Sequence, residues 1–342
     1  RQPRRAARFP PRGAPQRTGG ARIRAARVWE GLFLGAACIL NRASRPLLER
    51  SSLWNVAPVW ESIPAAAPDC GVAVASEFDL IARYFTRTAP TGLLGVGDDC
   101  ALFPVPTGEQ VATSTDLLLE GRHFFPDVDP KALGHKALAV NLSDLAAMGA
   151  RPIGCVLGLA LPRLDEPWLA AFAEGFHALA AVHGCPLIGG DTTRSSHDLA
   201  ISVTVFGAVP AGAALRRDAA QAGDDIWVSG ELGAADVADR LLDGQYPADP
   251  ERLAATRGAL EWPEPQVALG LALRGIAHAA IDISDGLLQD LGHILAASRV
   301  GAVLHEDRLP AAAALAGLPA DALRRAVLGL SLIHISEPTR PE

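Results

Sequence analysis

The chain has 342 residues, enough for two domains of ordinary size. Its apolar runs all fall short of the roughly 20 residues that span a bilayer, so no membrane partner is expected. The net charge of −7 divides into +8 over residues 1–70 (12 Arg, 4 acids) and −15 beyond them (19 basic, 34 acidic). That acidic body lacks the basic footprint which nucleic-acid backbones require.

Residues 1–72 read as an extension that is disordered or non-native. Arg1 to Arg27 is rich in Arg, Pro and Gly without periodicity, and such a stretch cannot bury enough apolar surface to fold. Gly31 to Leu40 is apolar after basic residues, but no clear small-residue cleavage site follows, so a targeting peptide is the lesser reading. An authentic start near Val72 or Val74 is expected. Five scattered cysteines (Cys38, Cys70, Cys100, Cys155, Cys185) without a C-x-x-C pattern argue for reduced thiols in a cytoplasmic protein.

The folded body begins at Ser76, where Ser76 and Asp79 form a capping pattern ahead of Phe78, Leu80, Ile81 and Tyr84. Val111 to Asp116 reads as a strand. Asp129-Pro130 supplies an N-cap and first-turn proline for a helix running to about Gly149. Ile153 to Leu161 is a strand, Glu166 to His183 a helix closed by Gly184, Leu187-Ile188 leads into a Gly-Gly-Asp turn, and Leu199 to Val209 is a strand. This N-terminal domain spans 73–211.

A C-terminal domain follows over 212–330. It contains strands at Asp225 to Ser229, His278 to Ile283 and Val300 to Leu304, with helices at Ala234 to Leu242, Pro265 to Arg274 and Leu287 to Ala297. Alternating strands and helices in both halves give an α+β fold, an α/β arrangement in two domains. Ser331 to Glu342 follows Leu330 without structural logic and reads as an artefact tail, which would leave the C-terminal domain truncated.

Aspartates recur in short Gly/Ser/Thr-rich clusters after apolar runs: Gly97-Asp98-Asp99, Ser114-Thr115-Asp116, Asn141-Leu142-Ser143-Asp144, Gly189-Gly190-Asp191 and Asp282-Ile283-Ser284-Asp285-Gly286. Carboxylates beside buried strands are costly to desolvate unless a cation meets them. Hard oxygen ligands with small neighbours suit Mg²⁺, which takes one or two carboxylates together with substrate phosphates. Each aspartate alone also suits a turn or a cap; their joint occurrence favours metal ligation.

The chain has no P-loop motif and only two lysines, Lys131 and Lys136. Phosphate charge then falls to metal ions, backbone N–H groups and Arg194, Arg216 or Arg217. Phosphoryl transfer needs mainly positioning and charge neutralisation. A phosphate-monoester acceptor, with a second pKa near ~6, is already largely dianionic at neutral pH, so no catalytic base is required.

The runs GVGDDCA, STDLLLEGRHF, KALAVNLSDLAAMGARP, LIGGDTTR and AIDISDGLLQDLGHI together resemble the thiamine-monophosphate kinase family. That family sits in the superfamily of aminoimidazole-ribonucleotide synthetase, and the resemblance covers about Ser76 to Leu330. It implies Mg²⁺- and ATP-dependent in-line transfer of the γ-phosphoryl group to thiamine monophosphate. It also implies an N-terminal mixed-sheet domain that pairs in a homodimer, a C-terminal α/β domain, and ATP in the cleft. By motif position, Asp99, Ser114, Thr115, Asp116, Asp144, Asp191, Asp282 and Asp285 resemble metal ligands. Gly190, Asp191, Arg217 and Ser284 resemble ATP contacts, and His123 a substrate contact.

The family's later G-G-[DE]-D-Y-E-L motif is absent before Leu330. A sister ATP-dependent enzyme of the superfamily and an inactive truncated nucleotide-binding protein are the alternatives. The S-T-D-x-L-x-E-G-x-H-F run favours the thiamine enzyme over the first.

Overall fold

The computed structural model describes residues 7–9, 36–37, 77–96 and 100–329. The expected cap at Ser76, the pair Asp98-Asp99 and the tail at 331–342 lie outside the described residues. The chain enters the body through helix α1 (Glu77–Leu80) and a π-helical turn, Ile81–Phe85. Strand β3 (Glu109–Leu119), helix α2 (Pro130–Ala147), strand β4 (Arg151–Leu161), helix α3 (Glu166–His183), strand β5 (Leu187–Arg194) and strand β6 (Ala200–Pro210) complete the first domain.

The four strands form one mixed sheet in the order β3-β6-β4-β5, antiparallel except for the parallel β4–β5 pair. Strict alternation makes one face apolar: Leu118, Leu157, Leu159, Ile201, Val203 and Val205 are all buried. Helices α2 and α3 cover this face and add Leu133, Leu138, Leu142, Leu145, Phe172 and Phe176 to one core. Their backbones approach closely because glycines stand at the crossing. A Cβ on Gly134 would lie 2.0 Å from the Phe172 carbonyl oxygen, and one on Gly175 would lie 1.9 Å from that of Lys131.

Both helices start as their sequences predict. Asp129 accepts from the Lys131 N–H at 3.0 Å and Asp165 from the Trp168 N–H at 3.1 Å, each ahead of a first-turn proline. Gly184, at φ +60°, closes α3. The Gly-Gly-Asp segment differs from expectation: it is the middle of β5, not a turn. Gly190 makes this possible at φ +151°, since a Cβ there would come within 2.0 Å of the Leu157 carbonyl oxygen.

The second domain contains helices α4 (Ala234–Leu242), α5 (Pro250–Glu261), α6 (Val267–Leu273), α7 (Leu287–Ser298) and α8 (Ala320–Leu328), with strands β7 (Ile281–Asp282) and β8 (Ala302–Leu304). Its core joins Val237, Leu287, Leu291, Leu304 and Leu315. The strand expected at Asp225 to Ser229 does not form. Ile226 and Val228 are buried there, but among the described residues no neighbouring strand offers a ladder. The strand expected from His278 shrinks to Ile281–Asp282.

Two pieces of the N-terminal extension pair with this domain, Ala7–Phe9 (β1) against β8 and Ala36–Ala37 (β2) against β7. Helix α2 is buried nearly all round, packed by the sheet and α3 on its own side and by α5, α6 and β7 from the second domain. It is the spine on which the two domains meet. Among the described residues no helix is long and apolar enough to cross a membrane.

Candidate functional site

Three aspartates from three elements meet at the C-terminal end of α2. Asp116 comes from β3, Asp144 from α2, and Asp282 from β7 of the second domain. Along β3, Ser114 and Asp116 point to the helix-covered face. Ser114 Oγ donates to Asp144 Oδ2 at 2.5 Å. The Asp116 N–H donates to Asn141 Oδ1 at 3.1 Å, and Asn141 Nδ2 is held by the Ala137 carbonyl one turn back. Asn141 and Asp144 are three residues apart, so one helix face addresses β3 with both. Ser143, one residue round the helix, turns the other way and hydrogen-bonds Asp282.

The cluster is electrostatically strained. Burial and then the Asp144 charge push the Asp116 carboxyl up to about 6. Asp282, only 8% exposed, is pushed up to about 7 by burial first and Asp144 second, with Ser143 opposing. Burial also raises Asp144, against the Ser114 hydroxyl and the Arg217 guanidinium, which stabilise its charge. Like charges in a desolvated site favour protonation, or a cation. Arg217 is placed by its own carbonyl, which accepts from Ser298 Oγ at 2.7 Å. Its neighbour Arg216 is committed to Asp218 at 2.6 Å.

Beyond Asp282 the chain turns through Ser284, Asp285 and Gly286 into α7. Asp290 organises this turn: its Oδ2 accepts the N–H groups of Ser284, Asp285 and Gly286 at 2.9, 3.0 and 3.1 Å. Asp285 accepts from Gln289 Nε2 at 2.8 Å. Asp290 is 3% exposed, and burial raises its pKa against those three backbone donors. Asp290→Ala should cost about 2–4 kcal/mol, because each buried donor left unsatisfied costs about 1–3 kcal/mol. Activity should fall about 10–100-fold as the loop loosens, in the range of lost outer-shell support. Thermal unfolding and kinetics check this; a variant with wild-type stability would show that the loop does not depend on Asp290.

Other predicted residues lie elsewhere. Asp116 pairs in register with Val203, Leu157 and Gly190 across the sheet, whereas Asp191 belongs to the next row, with Gly158, Ser202 and Leu117. Adjacent rows face opposite sides, so Asp191 stands on the uncovered face, three strands from Asp116. Thr115 is on that face as well, hydrogen-bonded to Thr204 at 2.7 Å. His123 sits in the turn after β3, its Nδ1 accepting from the Leu119 N–H at 3.0 Å. Among the described residues no three His, Cys, Asp or Glu side chains already close a ready-made metal cage.

Asn141, Ser143 and Asp290 were not singled out by motif. The i, i+3 spacing of Asn141 and Asp144 was a signal for the first. The other two act across tertiary contacts that spacing does not encode.

Hard oxygens in an anionic, desolvated pocket are the donor chemistry that Mg²⁺ prefers. Ser114, Asp116, Asp144 and Asp282 carry the donor chemistry that would suit that ion.

Two family matches divide the chain at the same place as the fold: AIR synthase related protein, N-terminal domain, over residues 97–209, and AIR synthase related protein, C-terminal domain, over 221–339. The thiamine-monophosphate kinase of Salmonella typhimurium is 48% identical over 239 residues, 68% of this chain and 73% of that protein. The crystal structure of thiamine-monophosphate kinase from Stenotrophomonas maltophilia superposes with a TM-score of 0.65 at 48% identity, covering 70% of this chain and 78% of the other. AaThiL complexed with AMPPCP and TMP superposes with a TM-score of 0.60 at 27% identity, covering 66% and 74%.

Proposed function

The chain belongs to the thiamine-monophosphate kinase family of AIR synthase related proteins, and from that membership we propose the following account of its chemistry. It transfers the γ-phosphoryl group of ATP to the phosphate of thiamine monophosphate and releases thiamine diphosphate and ADP. The observation that carries the reading is the meeting of Asp116, Asp144 and Asp282 from both domains beside Arg217.

Mg²⁺, when bound, would neutralise the two anions that must approach each other. Ser114, Asp116, Asp144 and Asp282 are the residues that would hold it, with Asp285 at the edge of the same loop. We assign Asp99, Thr115 and Asp191 to further ions, and Gly190, Asp191, Arg217 and Ser284 to ATP, on motif position. Ser143 and Asn141 fix the direction of the carboxylate-bearing elements. No side chain need remove a proton, since the acceptor phosphate is already the nucleophile at neutral pH. His123 contacts the acceptor; with Nδ1 engaged by the Leu119 N–H, its neutral ring carries the proton on Nε2.

The uncovered sheet face supports a homodimer. Val111, Leu117 and Leu119 are exposed on one edge strand at 47%, 52% and 37%, an apolar stripe that a second copy would cover. Use of ATP, an intracellular co-substrate, supports a cytoplasmic location.

The test is direct. Purified protein with Mg²⁺, ATP and thiamine monophosphate should form thiamine diphosphate and ADP in equal amounts, and should sediment as a dimer. ATP consumed without thiamine diphosphate would exclude the assignment, and a monomer at assay concentration would exclude the dimer.

A further inference from the structure

Lys136 is the single buried cation among the described residues, at 2% exposure. It lies on α2, two turns before Asp144, where the motif reading gave it no role. An ammonium taken out of water needs both hydrogen bonds and opposite charge in return. Its Nζ donates to the carbonyl oxygen of His123 at 3.0 Å. The charge is met from the other domain by Asp239 on α4 and Glu261 on α5, which oppose the downward pull of burial.

Both carboxylates are buried themselves, at 9% exposure each. Glu261 is held by Arg257 Nε at 2.7 Å, and Arg257 reaches on to Asp127 at 3.2 Å. Asp239 stands beside Asp236, which Arg240 engages at 3.0 Å. Lys136 therefore faces the ion-paired acidic side chains of the second domain across the seam.

The carbonyl that Lys136 grips is in a short, tightly wound segment. Gly121 adopts φ +71°, its N–H donates to the Phe124 carbonyl at 2.9 Å, and the His123 N–H donates to the Leu119 carbonyl at 2.9 Å. The imidazole folds back onto the Leu119 N–H. Fixing the His123 carbonyl thus fixes the ring direction as well.

We propose that Lys136 is a positioning residue for acceptor binding: buried where α2 packs on the second domain and bonded to the His123 carbonyl, it holds the His123 turn in the orientation that receives thiamine monophosphate. Seating of the two domains is thereby coupled to the acceptor subsite, while the nucleotide side is left alone. The inference rests on the assignment of His123 to the acceptor.

A double-mutant cycle tests it. Lys136→Met should raise KM for thiamine monophosphate about tenfold and leave KM for ATP within about twofold. In a His123→Ala background the same substitution should change acceptor KM by less than about twofold. Equal increases in both KM values, or independent effects in the double variant, would overturn the proposal in favour of a purely structural role.

Hydrogen exchange at the Leu119 amide gives a readout that needs no turnover. It should quicken at least about tenfold in folded Lys136→Met; wild-type exchange there would also overturn the proposal. If the wild-type protein proves to lack kinase activity, the functional assignment falls while the exchange measurement still judges the positioning. Lys136→Gln, which is neutral and keeps a donor, replaces Lys136→Met if that variant does not fold, with the same selective rise in acceptor KM expected.

Discussion

Asp144→Asn should lower kcat by on the order of 10³-fold while leaving the metal-free protein as stable as wild type or more so. The loss is set at the scale seen when a group that stabilises transition-state charge is removed. Asp144 is the hub of the cluster: its charge raises both Asp116 and Asp282, and Ser114 donates to it. An amide at the same position is nearly isosteric, and its oxygen still accepts from Ser114. What disappears is a negative charge that repels two others in a desolvated site.

Two results therefore travel together. Catalysis fails because the site loses a hard anionic ligand, and the apo protein gains because repulsion is relieved. A defect in folding would instead lower both. Steady-state kinetics and calorimetry on the same preparation separate the cases. Turnover within tenfold of wild type would remove Asp144 from the chemistry, and a large fall in Tm would make its role structural.

Much of the frame was legible because local signals were strong. Helices α2 and α3 are bounded by an aspartate cap with a first-turn proline (Asp129-Pro130 and Asp165-Glu166-Pro167) and by glycine stops, and each device operates in the structure as its chemistry requires. Helix α5 carries the same Asp249-Pro250 start as α2 yet has no readable helical pattern in the sequence. Only Thr256, Leu260 and Glu261 along it are buried, which leaves no apolar stripe to read. Strand pairing is the opposite case. Asp225 to Ser229 has the right residues, and whether such a run becomes a strand depends on a partner far away in sequence.

The site shows the same division. The clusters at Asp116, Asp144 and Asp282 stood out as residue types in small-residue surroundings, and the fold brings them to one place. Motifs could not reveal that Asp191 and Asp116 occupy opposite faces of one sheet, because a face is a matter of register and a shift of one residue inverts it. Nor could they reveal Asp290 and Lys136. Each acts on a backbone segment through contacts that exist only after the chain has folded.

Magnesium binding and protonation should compete at this cluster, with opposite consequences for stability. Asp116 and Asp282 are raised to about 6 and about 7 in the metal-free fold, against ~3.9 for an unfolded aspartate. Raised carboxyls take up protons on folding. The stability they contribute is full below pH ~4 and is lost as pH climbs through 6 to 7, an amount on the order of a few kcal/mol. The metal-free protein should accordingly become more thermostable between pH 8 and pH 5.5, and Asp239, pushed up to about 6 chiefly by burial, adds to the trend in the same direction. With saturating Mg²⁺ the trend should flatten or reverse, since the ion stabilises the ionised cluster and is worth about 2.7 kcal/mol at a hundred times its Kd. Because two protons must leave before the site is fully anionic, apparent Mg²⁺ affinity should fall by on the order of 100-fold from pH 7.5 to pH 5.5. Calorimetric titration of Mg²⁺ across that range, paired with melting curves at each pH, reads both effects. An affinity independent of pH would mean that Asp116 and Asp282 are not the groups that meet the ion, whatever their distance from Asp144.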